Sequence, residues 1–200
     1  MNLLTYLCAD KSSFIQNHTN MDKGFNYYRI KTTWKGEVAD GSLSKRKTEE
    51  LVYASSYTEA EKVAYALIAG QQRDQFSDNF DIEIVKTKIT SLLYSNILAK
   101  DEELVAGLVC TYFEESEESG VGLYGVKVMF TTLNEKNGEE KHTHEVIYTP
   151  ATSNADASER IKKHLGDSID FVIRDAKFDK AESILWPEDV YKQKASSDAA

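Results

Sequence analysis

The sequence is poor in cysteine and proline and lacks a long apolar run. Two of its 200 residues are cysteines and two are prolines. Cys8 and Cys110 lie far apart and neither has a CxxC partner, which predicts reduced thiols that bind no metal. Because no apolar run is long enough to cross a bilayer, we expect no membrane-spanning helix. The stretch before Cys8 is too short for a lipoprotein signal, which favours a cytoplasmic protein.

The sequence also lacks the common motifs of catalysis and cofactor binding. It contains neither GxxxxGK[ST] nor GxGxxG, so no nucleotide cofactor is expected. Its four histidines have no signature partner of the kind that nucleophilic catalysis requires. His142 and His144 share one face of a predicted strand with Glu140, an arrangement that a metal ion can use. Since three ligands from one strand rarely converge on one ion, we predict no metal site. Because the motifs of catalysis are missing, we also predict no catalytic residue and a non-enzymatic protein.

The chain is internally duplicated. Four short blocks of the first half recur in the same order in the second half, at offsets of 96, 95, 98 and 89 residues. The matched blocks are Tyr28–Trp34 with Tyr124–Phe130, Glu50–Tyr53 with Glu145–Tyr148, Thr58–Leu67 with Asp156–Leu165, and Asp81–Lys88 with Asp170–Lys177. The offset changes between blocks, where loops are expected. Blocks that keep their order in this way indicate two similar structural units.

Each copy has the pattern strand, strand, helix, strand. Apolar and polar residues alternate in the first block, which is typical of a half-buried strand. Thr58 and Asp156 each precede a glutamate by three residues, and this spacing fits the capping box that starts a helix. The Asn137–Gly138 step favours a hairpin turn. Trp34 aligns with Phe130 of the second copy, so we predict that Trp34 is a core residue.

These elements predict an α+β fold of two tandem ββαβ repeats, with an antiparallel sheet, helices on one face and a pseudo-two-fold axis. The predicted domains are an N-terminal arm (1–24), a first repeat (25–94), an acidic connector (95–121), a second repeat (122–190) and a flexible tail (191–200). Within the connector, the apolar run from Leu104 to Phe113 fits either a helix or a strand. The strand order between the repeats is not determined by these patterns.

The charges are strongly polarised along the chain. The net charge of −9 argues against a surface coated in positive potential for duplex DNA. Residues 27–48 nevertheless carry six cations and two anions. Residues 101–118 carry seven anions and no cation. We therefore expect one basic and one acidic surface rather than a uniformly acidic protein.

Several motifs together resemble one family of uncharacterised small proteins. They are FxYYRIKTTW, a basic linker, a YTEAEK-type capping box, a DIEI strand and a terminal LWPEDV. Proteins of that family occur in gut bacteria, their mobile elements and their large tailed phages, sometimes near replication genes, and the domain has no known function. The resemblance covers residues 25–94 and 124–190. It implies a phage or mobile-element context with a tilt toward nucleic-acid work, and it supplies no catalytic residues.

The outer face of the first predicted hairpin is the main candidate binding site. Cations and aromatic rings at regular spacing on a sheet can contact the phosphates and stack on the bases of single-stranded nucleic acid. The candidate residues are Tyr27, Arg29, Lys31, Lys45, Arg46 and Lys47. In this interpretation Tyr27 stacks on bases and the cations contact phosphates. The alternative is a solvated sheet face, which the second copy favours because Lys127 is the one cation on its matching strand face.

We predict a phage or mobile-element binding protein with single-stranded DNA or RNA as its candidate ligand, in replication. The alternative function is a protein-interaction or virion component that assembles through charge-complementary surfaces. In that alternative, self-association or a protein partner would use the acidic residues Glu114, Glu115, Glu117 and Glu118. The protein would act in the host cytoplasm if it is phage-encoded, or in the virion.

Overall fold

The computed structural model describes residues 24–37, 41–71, 80–93, 102–105, 107–112, 120–134, 137–167 and 170–197. Within these residues the chain forms ten strands and three helices. The strands are β1 (Asn26–Glu37), β2 (Leu43–Ala54), β3 (Phe80–Lys86), β4 (Ser91–Leu92), β5 (Glu102–Val105), β6 (Leu108–Tyr112), β7 (Gly122–Leu133), β8 (Glu140–Ala151), β9 (Phe171–Asp179) and β10 (Ser183–Pro187). The helices are α1 (Tyr57–Gln71), α2 (Asn154–Leu165) and α3 (Glu188–Ser197). The fold is α+β and consists mostly of strand.

The strands form two sheets. The first has the order β3-β1-β2-β10-β6-β5, and the second has the order β4-β8-β7-β9. Most neighbours are antiparallel, but β10 runs parallel to β2 and β4 runs parallel to β8. The expectation of a purely antiparallel sheet is therefore wrong at these two pairs. Both are formed by strands distant in sequence, which a hairpin does not connect, and such strands are free to run in the same direction.

Two long hairpins, β1–β2 and β7–β8, are the central elements of the sheets. Each pairs twelve residues of one strand with twelve of the next without a register shift. The second hairpin turns at Gly138, whose φ of +70° suits a residue without a side chain. The amide of Gly138 donates to the carbonyl of Asn134 at 2.8 Å. The turn predicted at Asn137–Gly138 is confirmed.

Serine caps start the first two helices. In α2 the hydroxyl of Ser153 accepts from the amide of Asp156 at 3.1 Å, and the carboxylate of Asp156 accepts from the amide of Thr152 at 2.9 Å. In α1 the hydroxyl of Ser56 accepts from the amide of Glu59 at 3.2 Å. The capping boxes predicted from Thr58 and Asp156 are therefore placed too late. In each helix the acidic side chain three residues after the capping serine accepts a hydrogen bond from the amide of the residue before that serine.

Three clusters of buried side chains hold these elements together. One lies between the first sheet and α1 and includes Ile30, and another lies between the second sheet and α2 and includes Val126. The third cluster draws side chains from both sheets and from α3, with Trp186 fully buried within it. Trp34 is also buried, as predicted, and its ring centroid lies 6.1 Å from that of Phe80. The third cluster shows that the sheet faces opposite α1 and α2 pack against each other at the bases of the hairpins.

The apolar run between the hairpins forms strands. Glu102–Val105 and Leu108–Tyr112 pair as an antiparallel hairpin, which resolves the open choice between helix and strand. The last helix, α3, reaches Ser197 and so extends into the region for which the sequence indicated a flexible tail. Among the described residues, no helix combines the length and the apolarity needed to cross a bilayer.

Glu50 is a buried carboxylic acid on the α1 side of the first sheet. The residue is 5% exposed, and its Oε2 atom has no hydrogen-bond partner among the described residues. Burial raises the pKa of Glu50 to about 7; the neighbouring Thr48 hydroxyl opposes this increase, and the nearby acids Glu182 and Glu49 add to it. The ionised form is disfavoured because a buried charge without a partner has lost its hydration.

Glu50→Gln is expected to remove a decline in stability with rising pH. A pKa that is higher in the folded than in the unfolded chain gives stability below the unfolded value, near 4.3, that is lost as pH rises toward 7. Relative to wild type, the variant should gain about 2 kcal/mol in free energy of unfolding between pH 5 and pH 8. Urea unfolding at both pH values measures this difference. Glu159→Gln, on the exposed surface of α2, serves as the control, and an equal gain there would contradict the assignment.

Candidate nucleic-acid interface

The register of the β1–β2 hairpin decides which candidate residues share a face. Side chains alternate along a strand, and residues paired across two antiparallel strands point to the same side. Lys35 pairs with Lys45 and Thr33 pairs with Lys47, so these residues share the face of Arg29, which lies opposite α1. Arg46 pairs with Trp34 and therefore lies on the α1 side. The six predicted residues are thus divided between two faces.

Tyr27 lies inside the protein. It is 2% exposed, its ring centroid lies 4.8 Å from that of Tyr53, and it meets Trp186 edge-on at 6.2 Å. Burial, with Tyr53 nearby, raises the pKa of its hydroxyl above the ordinary value. The prediction that Tyr27 lies on an outer face is wrong, because the second sheet covers this end of the hairpin. A ring in this position cannot stack on a nucleic-acid base.

Arg29 is held in a network of acids at the same covered end. Its guanidinium donates to both oxygens of Asp179, from Nη1 at 2.8 Å and from Nη2 at 2.6 Å. Nη1 also donates to Glu49 at 3.0 Å. Such two-pronged pairing is the strong geometry for arginine and carboxylate. The prediction that Arg29 lies on a solvated outer face is therefore wrong, because the end of β9 packs against it and neutralises it.

Asp179 links Arg29 to the second hairpin. The hydroxyl of Tyr148 donates to Asp179 at 2.6 Å, and the amide of Ala181 donates to it at 2.9 Å. Burial alone would raise the pKa of Asp179, but the hydrogen bonds from Arg29 and Tyr148 keep it below the ordinary value. The Tyr148 ring lies directly over Gly125, which pairs with it across β7 and β8. The network therefore joins β1, β8 and β9 and fixes one sheet to the other.

The remaining candidate cations lie toward the outer end of the first hairpin. Lys31 pairs with Glu83 at 3.1 Å, and Lys47 pairs with Glu49 at 3.1 Å. Lys45 and Arg46 are exposed and form no ion pair with another described residue. The candidate set omitted Lys35, which is also exposed and lies directly across from Lys45.

We call Lys35, Lys45, Arg46 and Lys47 the basic end. These residues are grouped by the cross-strand pairing of β1 with β2, which the sequence alone did not predict. Three of the four cations have no acidic partner in the described part of the chain. Clustered cations of this kind produce a local positive potential even on a protein of negative net charge.

The matching region of the second hairpin carries histidines and acids. His142 and His144 are exposed on β8, and Nε2 of His142 lies 3.9 Å from Oε2 of Glu140. The hydroxyl of Thr131 and Nδ1 of His142 are 3.3 Å apart. Within the residues that the structure describes, no group of three His, Cys, Asp or Glu side chains is positioned to hold a metal ion. The two hairpins are therefore chemically different at their outer ends.

The proposed acidic partner surface lies outside the described residues. Glu114, Glu115, Glu117 and Glu118 belong to the undescribed segment 113–119, and the arm before Gly24 is also undescribed. The candidate interface that the structure describes is therefore the basic end.

Most of the chain matches the model of one known domain family. The chain matches the model of a domain of unknown function (DUF4494) over residues 26–187. No curated protein and no solved structure matches the chain. The match begins where β1 begins and ends where β10 ends, so the described strands of both sheets lie within the matched residues. The chain belongs to the DUF4494 family, an uncharacterised domain family.

Proposed function

We propose that the protein is a non-enzymatic binding protein of a phage or mobile element and that its basic end binds single-stranded nucleic acid. The observation that carries this proposal is the cluster of Lys35, Lys45 and Arg46, which are exposed without an ion pair in the described part of the chain. A cation that no neighbouring carboxylate neutralises is available to a phosphate group. A role in replication in the host cytoplasm is consistent with such a ligand.

The buried position of Tyr27 changes the kind of binding we propose. Stacking on this tyrosine would add affinity for each base, but its ring is enclosed between the sheets. Binding then depends mainly on phosphate contacts, which carry no sequence information. We therefore propose weak, sequence-independent binding that depends steeply on salt, because each phosphate contact releases counterions.

We also propose that the scaffold consists of two tandem ββαβ repeats related by a pseudo-two-fold axis. Residues 26–86 and 122–179 have the same order of elements, and β1 and β7 are each flanked by two antiparallel neighbours. The strand that follows each unit crosses to the other sheet. Thus β4 runs parallel to β8, and β10 runs parallel to β2. An exchange in both directions supports a two-fold relation.

Lys45→Glu/Arg46→Glu is expected to weaken the binding of a labelled oligo-dT at least about tenfold. The double variant replaces two phosphate contacts by repulsion without touching a buried side chain. The magnitude of the salt slope should also fall by about 0.7 for each lost contact. Fluorescence anisotropy titrations of the full chain at several salt concentrations measure both quantities.

Lys162→Glu/Lys163→Glu is the matched control for this titration. Both lysines are exposed in the last turn of α2, so the variant changes the net charge equally at a distant place. Binding should be nearly unchanged in this control. Absence of oligo-dT binding by the wild-type chain at low salt would overturn the proposal, as would equal losses in the two double variants.

A further inference from the structure

The two hairpins end in a matched pair of exposed leucines. Leu43, at the start of β2, is 71% exposed, and Leu133, at the end of β7, is 67% exposed. Leu43 pairs with Glu37 and Leu133 pairs with Glu140, so each leucine lies at the last pair of its hairpin. Single exposed apolar residues are common, but here each one occurs beside a charge cluster.

The charges beside the two leucines are opposite in sign. Leu43 shares the face of Lys35 and Lys45, and Glu37 pairs directly with it, so on this face the lysines outnumber the acid two to one. At the other hairpin, Leu133 shares its face with Glu140, and Glu139 precedes it. Lys141 pairs with Thr132 on the other side of the sheet, as Arg46 pairs with Trp34 at the first hairpin. Counted over both sides, the basic end has four cations against Glu37, and this end has two glutamates against Lys141. We call Leu133, Glu139 and Glu140 the acidic end.

The two ends do not meet within one molecule. Each leucine remains exposed, although the two sheets pack together at the bases of the same hairpins. A symmetric contact between two basic ends or two acidic ends would bring like charges together, which opposes association. Complementary charges instead favour contact between unlike ends of two copies, with one leucine from each side at the centre.

We propose that the protein self-associates head to tail, with the basic end of one copy docked on the acidic end of the next. The contact is small, so the association is weak and reversible. Unlike ends generate either a closed ring or an open chain, because the contact leaves one free end on each copy. The proposal stands independently of nucleic-acid binding, although nucleic acid and a second copy of the protein would compete for the same cations.

Sedimentation velocity of the full chain over a concentration series tests this proposal. The wild-type mass average should rise with concentration and fall with added salt. Lys45→Glu/Arg46→Glu and Glu139→Lys/Glu140→Lys should each remain monomeric, whereas an equimolar mixture of the two should associate because unlike ends are again available. A monomeric wild-type chain at all concentrations, or a mixture that does not associate, would overturn the proposal.

Leu133→Ser tests the apolar part of the contact without changing charge. It should reduce self-association, whereas Tyr65→Ser should not, since Tyr65 is similarly exposed (60% against 67%) but lies on α1. Equal effects of the two substitutions would refute a specific contact. Leu133→Ser should also leave the oligo-dT titration unchanged. Failure of self-association and failure of nucleic-acid binding are therefore measured separately.

Discussion

Arg29→Ala is expected to lower the free energy of unfolding by about 3 to 5 kcal/mol. The substitution leaves Asp179 and Glu49 without their shared cation in a place with little access to water. The side chains of Arg29 and Asp179 are 17% and 12% exposed, so solvent replaces little of what is lost. The donors Tyr148 and Ala181 remain on Asp179 and limit the loss. Urea denaturation at neutral pH measures the change.

Lys31→Ala is the matched control for Arg29→Ala. Lys31 is two residues along the same strand and also pairs with an acid, but its partner Glu83 is largely exposed. An exposed pair of this kind contributes less than about 1 kcal/mol. A double-mutant cycle with Asp179→Asn should give a coupling energy of at least about 1.5 kcal/mol for Arg29. Equal losses for Arg29→Ala and Lys31→Ala would show that the buried network does not hold the sheets.

The same network should make the wild type sensitive to acid. The folded pKa of Asp179 is depressed below the unfolded value, because hydrogen bonds from Arg29 and Tyr148 outweigh burial. A depressed pKa gives stability that is present above the unfolded pKa and is lost as pH falls through the folded pKa. Wild type and Arg29→Ala should therefore converge in stability as the pH is lowered.

Gly125→Ala is expected to destabilise the protein by about 3 kcal/mol. A Cβ atom at position 125 would lie 2.0 Å from Cε1 and 2.7 Å from Cδ1 of Tyr148. The ring cannot swing aside freely, because its hydroxyl is bonded to Asp179. The displacement would therefore also disturb the pairing with Arg29. Thermal or urea unfolding measures the cost.

Gly122→Ala provides a contrast on the same strand. Its Cβ would lie 2.6 Å from Cε2 of Phe178, but this ring is exposed and can move. We expect a cost of about 1 kcal/mol. If the Tyr148 ring is the obstacle, Gly125→Ala should lower the free energy of unfolding much less in a Tyr148→Ala background than in the wild type. An unchanged cost in that background would mean that Tyr148 is not the obstacle.

Local patterns predicted much of the fold. Alternation identified β1 and β7, the Asn137–Gly138 step located a turn, and the comparison of the two copies placed Trp34 in the core. These features depend on neighbours within a few residues or on one adjacent strand. The helix starts were displaced because the true caps, Ser56 and Ser153, lie before the residues interpreted as caps, Thr58 and Asp156.

The candidate site could be predicted only in part. Alternation separates the two faces of a strand, but it does not show whether a distant segment covers the second face. Arg29 is neutralised by Asp179, 150 residues further along the chain. One signal was available in the sequence. The second copy has Gly125 where the first has Arg29, and a glycine in a strand often marks the close approach of another group.

The parallel pairing of β10 with β2 has a consequence for folding during synthesis. Ser183 pairs with Glu50, 133 residues earlier (183 − 50). One edge of β2 therefore has no β10 to pair with until nearly the whole chain has been synthesised. An open edge on a growing chain is a template for wrong pairing. Slow completion of the first sheet therefore exposes the nascent protein to misassembly.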